Sequence, residues 1–320
     1  MAATILKQVS PGYIDRYGPA SGAYDRTVDA YRMRYNKIPL QGARFFKTES
    51  YTGTDTWKID TFGNLLRMPP ENEDTDLIPK ATPWRGFSKS FTIKEYRLGI
   101  EAPRSLTESA LHLDKVRQMA SGLMNSMRLK LEYSFAGVWN NISSTSYTGA
   151  DGMPLCDTAH PLPRRQDGTW SNEASAGTAL TSSTWATARK NLRQSTTDWG
   201  YKMPIMVRGL VVSAENEQKA RELKAATNVP ENALNQPWVF GKDNWEVMVY
   251  DYLTSTTAWH LWGDIPQEFS GMHYIQAVAP SIAKMTGQDT GTDIVWANRG
   301  RMRFAVGFSV ERNIYLNPGA

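Results

Sequence analysis

Cysteine is nearly absent from this chain of 320 residues: Cys156 is the only one. A disulfide within the chain is therefore excluded, and a lone thiol suits a reducing cytoplasm. Histidine is almost as scarce, with His112, His160, His260 and His273 the full set. No apolar run approaches the ~18 residues of a membrane span, so no membrane partner is expected. The first residues, MAATILKQVSPGY, lack the basic-then-apolar order of a signal peptide. An excess of one charge is missing as well. With 36 basic and 32 acidic residues the net charge is +4, which does not mark a nucleic-acid reader. GxxxxGK[ST], HExxH, GxSxG and GxGxxG do not occur, so no phosphate cradle, zinc-hydrolase helix, nucleophile elbow or dinucleotide fingerprint is present.

What is present is a globular composition, 41% hydrophobic and 21% charged, in a chain long enough for two or three cores. Eleven Trp and fourteen Tyr favour large buried or interfacial surfaces.

The only cysteine lies four residues from a histidine, in 149-GADGMPLCDTAHP-161. A zinc site needs three or four converging ligands, and the other histidines are distant in sequence. A Cys–His nucleophile pair draws its members from separate elements, with a third group orienting the base. Here Cys156 and His160 share one short segment with Pro154, Pro161 and Pro163. The expected structure is a turn whose cysteine packs as a small hydrophobe. A Cys-dependent hydrolase would instead need Cys156 as an activated thiolate. Asp74-Thr75-Asp76 is isolated in an acidic stretch and forms no metal site. No catalytic, metal or cofactor-binding residue is assigned.

The rest of the chain carries architecture. Residues 1–47 have no sustained period, are broken by Pro and Gly, and hold eight basic residues against Asp15, Asp25 and Asp29. They read as an arm or as a loop-rich edge. Residues 45–104 read as two long strands around an acidic, proline-rich tip, 68-MPPENEDTDLIPKATPWRG-86. Phe87, Lys89, Phe91 and Ile93 share one face. The apolar set then moves to Tyr96, Leu98 and Ile100, so a bulge is expected near Lys94–Glu95. From 105 to 142, Leu106, Ala110, Leu113, Val116, Ala120, Leu123, Met127, Leu131, Phe135 and Val138 predict one long helix behind a Ser105/Glu108 capping box. A helix then opens at Leu180–Trp185 and runs to about Gln194. The strand 205-IMVRGLVVS-213 follows, with Ser213 expected to cap a helix over 214–226. Strands are expected over 245–253 and 258–263. Finally Met302, Phe304, Val306, Phe308 and Val310 alternate with polar or small residues. Their face is expected to pack on the long helix, while Arg299, Arg301 and Arg303 form one charged edge for contacts to a neighbour or to nucleic acid.

This α+β order resembles the major capsid proteins of tailed bacteriophages of the Hong Kong 97 type. The likeness is most specific at 149–263. There Gly152–Leu162 (G-x-P-L-x-x-T-A-H-P-L), Ser171-Asn172, Leu180–Gln194, Leu210–Leu223 and Thr257-Ala258-Trp259 follow the pattern of the Mu-like head subunit. The resemblance implies an N-terminal arm (1–44), an extended loop lying across a neighbour (45–104), a peripheral domain (105–177 with 265–320) and an axial domain (178–264). It also implies a structural protein that is not an enzyme and binds no cofactor. Its copies would assemble as hexamers and pentamers into an icosahedral head around double-stranded DNA held by non-specific contact. The implied partners are the chain itself, a portal protein, and scaffolding and decoration proteins. The implied place is the virion, reached through the host cytoplasm. A cellular nanocompartment shell of the same fold is the alternative.

Overall fold

The computed structural model describes residues 40–53, 55–63, 84–103, 112–162, 168–197, 201–231, 236–265, 270–285 and 294–320, together with 26, 30 and 105. Most of the expected arm, the hairpin tip at 64–83 and Glu108 of the expected capping box lie outside the described residues.

Two four-stranded sheets organise the chain. In the first, strands run in the order β1 (Lys47–Ser50), β10 (Met272–Lys284), β11 (Ile294–Phe308) and β4 (Lys94–Pro103). Helix α1 (His112–Asn140) packs on one face. At ~1.5 Å per residue it is roughly 43 Å long. Its apolar positions recur at three and four, so Val116, Ala120, Leu123, Met127, Leu131, Phe135 and Val138 are all buried. Leu123 to Val138 share a core with Met302, Phe304 and Phe308 of β11 and Met272 and Tyr274 of β10, while Val116 and Ala120 pack with Ala102 of β4 and Trp296 of β11. The expected apolar face of the last long strand is thus the face under the helix. Close approach of α1 requires Gly300, where a Cβ would stand 2.8 Å from Met127 Sδ and 3.1 Å from Leu123 Cδ1.

Two features of this sheet were not legible from periodicity. β10 contains Pro280 and shifts register twice against β11, between Gln276 and Val278 and again before Ser281. Each shift changes which side chain faces inward, so no alternation survives in the sequence. Glu132 sits inside the helix stripe, fully buried. Its carboxylate accepts from Gln41 N at 2.5 Å and Gly42 N at 3.1 Å, which roots residues 40–46 on α1.

Strands β2 (Thr56–Gly63) and β3 (Trp84–Thr92) form a separate antiparallel hairpin. The expected break after β3 falls at Ile93, next to the predicted position. On one side of it the chain pairs with β2, and on the other with β11. Both ends of 45–104, β1 and β4, belong to the first sheet, because Phe45 and Phe46 are buried against α1 and β4 finds a long partner in β11.

After α1, two short strands, β5 (His160–Pro161) and β6 (Thr169–Trp170), pair only with each other. The second sheet has the order β12 (Ile314–Asn317), β9 (Trp259–Asp264), β7 (Met206–Val212) and β8 (Glu246–Val249). Helix α2 (Ser182–Arg193) starts as expected, with Thr181 and Thr184 in a reciprocal capping box and Trp185, Ala188 and Leu192 buried. Helix α3 (Glu217–Ala225) differs from expectation. A 3-10 turn at Ala214–Asn216 precedes it, and the Ser213 hydroxyl bonds Thr256 O instead of capping. The strand expected over 245–253 stops at Val249, because Tyr250 and Leu253 close a turn. The chain end also departs from the expected division. β12, counted with the peripheral 265–320, pairs with β9 of the other sheet, since Ile314, Tyr315 and Leu316 fill the cores on both sides of it.

Candidate functional site

The Cys156–His160 loop is a closed structural knot. His160 is buried, with Nδ1 2.7 Å from Asp151 Oδ2 and Nε2 3.1 Å from Asn172 Oδ1. Its ring stacks on Trp170 at 4.3 Å. Asn172 in turn donates to Leu155 O at 2.9 Å and accepts from Asp157 N at 2.9 Å. Cys156 is fully buried in the first core, and burial pushes its thiol well above the ordinary value. A thiol in that setting is a packing group, the opposite of an activated nucleophile. Among the described residues no group of three or more His, Cys, Asp or Glu could hold a metal ion. No helix among them is long and apolar enough to cross a membrane.

Arg299, Arg301 and Arg303 share one face, as the alternation predicts, but they do not form an edge. β11 is an inner strand, with β10 on one side and β4 on the other. Arg301 pairs with Glu95 of β4, and Arg303 with Asp55 at the hairpin root. Glu95 also accepts from Arg97 at 2.7 Å, and the hydrogen bonds from Arg97 and then Arg301 hold its carboxyl down to about 2. Arg301 and Arg303 therefore link β11 to β4 and to the root of the hairpin within the subunit. Arg301 keeps 40% of its side chain exposed.

The surfaces available for partners lie elsewhere. Among the described residues the hairpin meets the sheet near its root. Trp57 packs 5.7 Å from Phe91 and 5.6 Å from His273, and Phe91 covers Gly307, where a Cβ would come within 2.6 Å of its ring. Lys89 Nζ ties β3 to Thr148 O at 2.8 Å. Ser88, Ser90 and Thr92 on the other side of β3 are exposed. Large apolar side chains also face outward: Leu129 and Tyr133 on α1, Leu98 on β4, Met206 on β7, and Val239, the last 63% exposed. Leu98, which the sequence groups with Tyr96 and Ile100 in one apolar set, pairs opposite Gly300 and is exposed, whereas the other two pack against the core.

Three comparisons bear on this architecture. The profile of the phage capsid protein family matches residues 99–317. No curated protein matches. Among solved structures, the capsid of the cyanophage P-SCSP1u is 11% identical, with 85% of each chain covered and a TM-score of 0.53. A structure from Mycobacterium phage Patience is 12% identical over 97% of this chain and 90% of that one, with a TM-score of 0.52. A phage-related protein from Bordetella bronchiseptica RB50 is 14% identical, covers 90% and 95%, and has a TM-score of 0.51. Two sheets bridged by one long helix, and a family profile that runs from β4 to β12, lead to one conclusion: the chain belongs to the phage capsid protein family and is a structural major capsid protein of the Hong Kong 97-type fold.

Proposed function

We propose that this chain closes as hexamers and pentamers into the icosahedral head of a tailed phage and encloses double-stranded DNA. The observation that carries the reading is the hairpin β2–β3. A two-stranded ribbon is marginal alone, and among its described residues this one packs on its own subunit near its root, through Trp57, Ile59 and Phe91. The rest of its length gains burial from a neighbouring copy. The sheet of β7, β8, β9 and β12 is the axial unit, and that of β1, β4, β10 and β11 with α1 the peripheral one. Residues before 40 serve as the arm. The motif order over 149–263 supports a Mu-like subgroup. Portal, scaffolding and decoration proteins are the further partners, assembly takes place in the host cytoplasm, and packaged DNA meets the shell through non-specific contacts. The role is structural and needs no catalysis. Arg299, Arg301 and Arg303, already engaged within the subunit, contribute to neighbour or DNA contacts through the exposed part of Arg301. Electron microscopy of the purified chain tests the reading. Intact protein is expected to yield closed particles. A variant with 64–83 replaced by a short turn is expected to stay folded and soluble without forming stable shells. Normal shells from that variant would sink the proposal.

A further inference from the structure

The chain passes from one sheet to the other as it leaves β9 for β10 and again as it leaves β11 for β12. The described parts of these two stretches lie side by side. Ser309 N donates to Gly271 O at 2.7 Å, and Gly263 N donates to Asn313 O at 2.6 Å. A Cβ on Gly271 would collide with the Val310 carbonyl, so glycine is required for this approach. Glu311 stands between the two stretches and is 1% exposed. Its Oε2 accepts from Gly271 N at 2.7 Å, Met272 N at 3.1 Å and Ser270 Oγ at 3.3 Å. Its Oε1 is buried and makes no hydrogen bond of ordinary geometry among the described residues, although the Asn313 backbone N–H also faces the carboxylate.

A dry, unpaired carboxylate oxygen is costly, whereas a carboxylic acid is not. The proton can occupy Oε1 while Oε2 keeps its three donors. Accordingly, burial outweighs the donors around it and raises Glu311 to about 7.

We propose that Glu311 is a proton-operated latch between the two sheets, closed when protonated and opened to water when ionised, so that the angle between the sheets responds to pH. The consequence for a shell rests on the capsid reading, in which that angle sets the curvature between the centre and rim of a hexamer. The latch itself does not rest on it.

Several other titratable groups lie around Glu311 among the described residues. Cys156 lies within electrostatic reach of Glu311, with Glu173 and Asp157 beside it. His160 is held by Asn172, whose Nδ2 also donates to Glu311 O at 3.5 Å. From β10, His273 reaches Ser309 Oγ at 3.2 Å and faces Glu49 at 3.6 Å. Arg312 is turned to Thr196 O and over the Trp170 ring. The Cys156 thiol is raised well above its ordinary value and His273 is lowered to about 4 by burial. Neither changes charge near neutrality.

The experiment compares unassembled wild-type and Glu311→Gln subunits by thermal unfolding and small-angle X-ray scattering at pH values on either side of neutrality. The folded value of Glu311 is raised, so its stabilisation is full below the ordinary carboxylate value and is lost as pH climbs through about 7. The wild-type advantage in Tm is expected to shrink with rising pH, and the wild-type scattering profile to change while that of the variant does not. A Tm difference independent of pH, or wild-type scattering that does not move, overturns the latch. Should the variant fail to fold, the amide resonances of Gly271 and Met272 in the wild type take its place. Their titration near neutrality supports the latch, and static resonances overturn it. A wild-type chain that titrates in this way but forms no particles would overturn the shell reading and leave the latch supported.

Discussion

His160 and Cys156 occupy the same loop and differ in what their removal leaves behind. Cys156→Ala deletes one sulfur from a packed core and is expected to cost about 1 kcal/mol, with assembly intact. His160→Ala strips partners from buried Asp151 and Asn172, at about 1–3 kcal/mol for each group left unsatisfied. Thermal unfolding of the two variants side by side checks the order, and equal losses would contradict it. β11 offers a second contrast. Phe304 is buried under α1, so Phe304→Ala is expected to cost about 3–5 kcal/mol. Arg301 on the opposite face is half exposed, and Arg301→Ala is expected to cost at most about 1 kcal/mol. Its effect on particle yield is expected to shrink at high salt, because exposed charges are screened. Unfolding of the subunit by Arg301→Ala with a silent Phe304→Ala would mean the two faces are assigned backwards.

At the scale of elements, the hairpin and the long helix are attached by opposite means. α1 is held along most of its described length by a stripe that meets both sheets, and Gly300 sets how closely it can lie. Gly300→Val is therefore expected to lift the helix and destabilise the subunit by about 1–3 kcal/mol. The hairpin is held at one end, where Phe91 lies over Gly307. Gly307→Val should displace that ring and re-aim the hairpin with a smaller loss of subunit stability and a larger loss of shells. The check is the ratio of the two effects, Tm of unassembled protein against particle yield. The reverse ratio would show that α1 is the assembly element and the hairpin part of the fold.

For the whole molecule, three buried groups set the response to acid. His260 and His273 are each lowered to about 4 from 6.5, chiefly by burial. Both are buried neutral, so their stabilisation is complete above pH 6.5 and is lost as pH falls toward 4, on the order of 3 kcal/mol each. Glu311 has the opposite sign and favours the fold more as pH falls from about 7. Subunit stability is therefore expected to change little just below neutrality and to drop steeply nearer pH 4. His260→Gln should flatten the acid limb, as followed by denaturant midpoints across the range. An unchanged limb would assign the acid loss to other groups.

Regular burial wrote itself into the sequence. The helix stripe from Val116 to Val138, the alternation of Met302, Phe304 and Phe308, the shared face of Trp185, Ala188 and Leu192, and the change of face at Ile93 all follow from one side being wet and the other dry. The loop character of 149–161 was legible from its prolines, and the isolation of its lone cysteine spoke against chemistry. What the tertiary structure alone decided is where the period fails or the partner is distant. β10 carries two register shifts and a proline, so its faces are set by β11 and not by its own order of residues. Leu98 is exposed although Tyr96 and Ile100 of the same apolar set pack against the core. The arginines became an inner row only when β4 paired beside β11. β12 joined the second sheet because a core from each side was open to it. Glu132 and Glu311 could not be found from sequence at all. A buried carboxylate is tolerable only where backbone N–H groups from remote segments converge on it, and such convergence is a property of three-dimensional packing that no local pattern encodes.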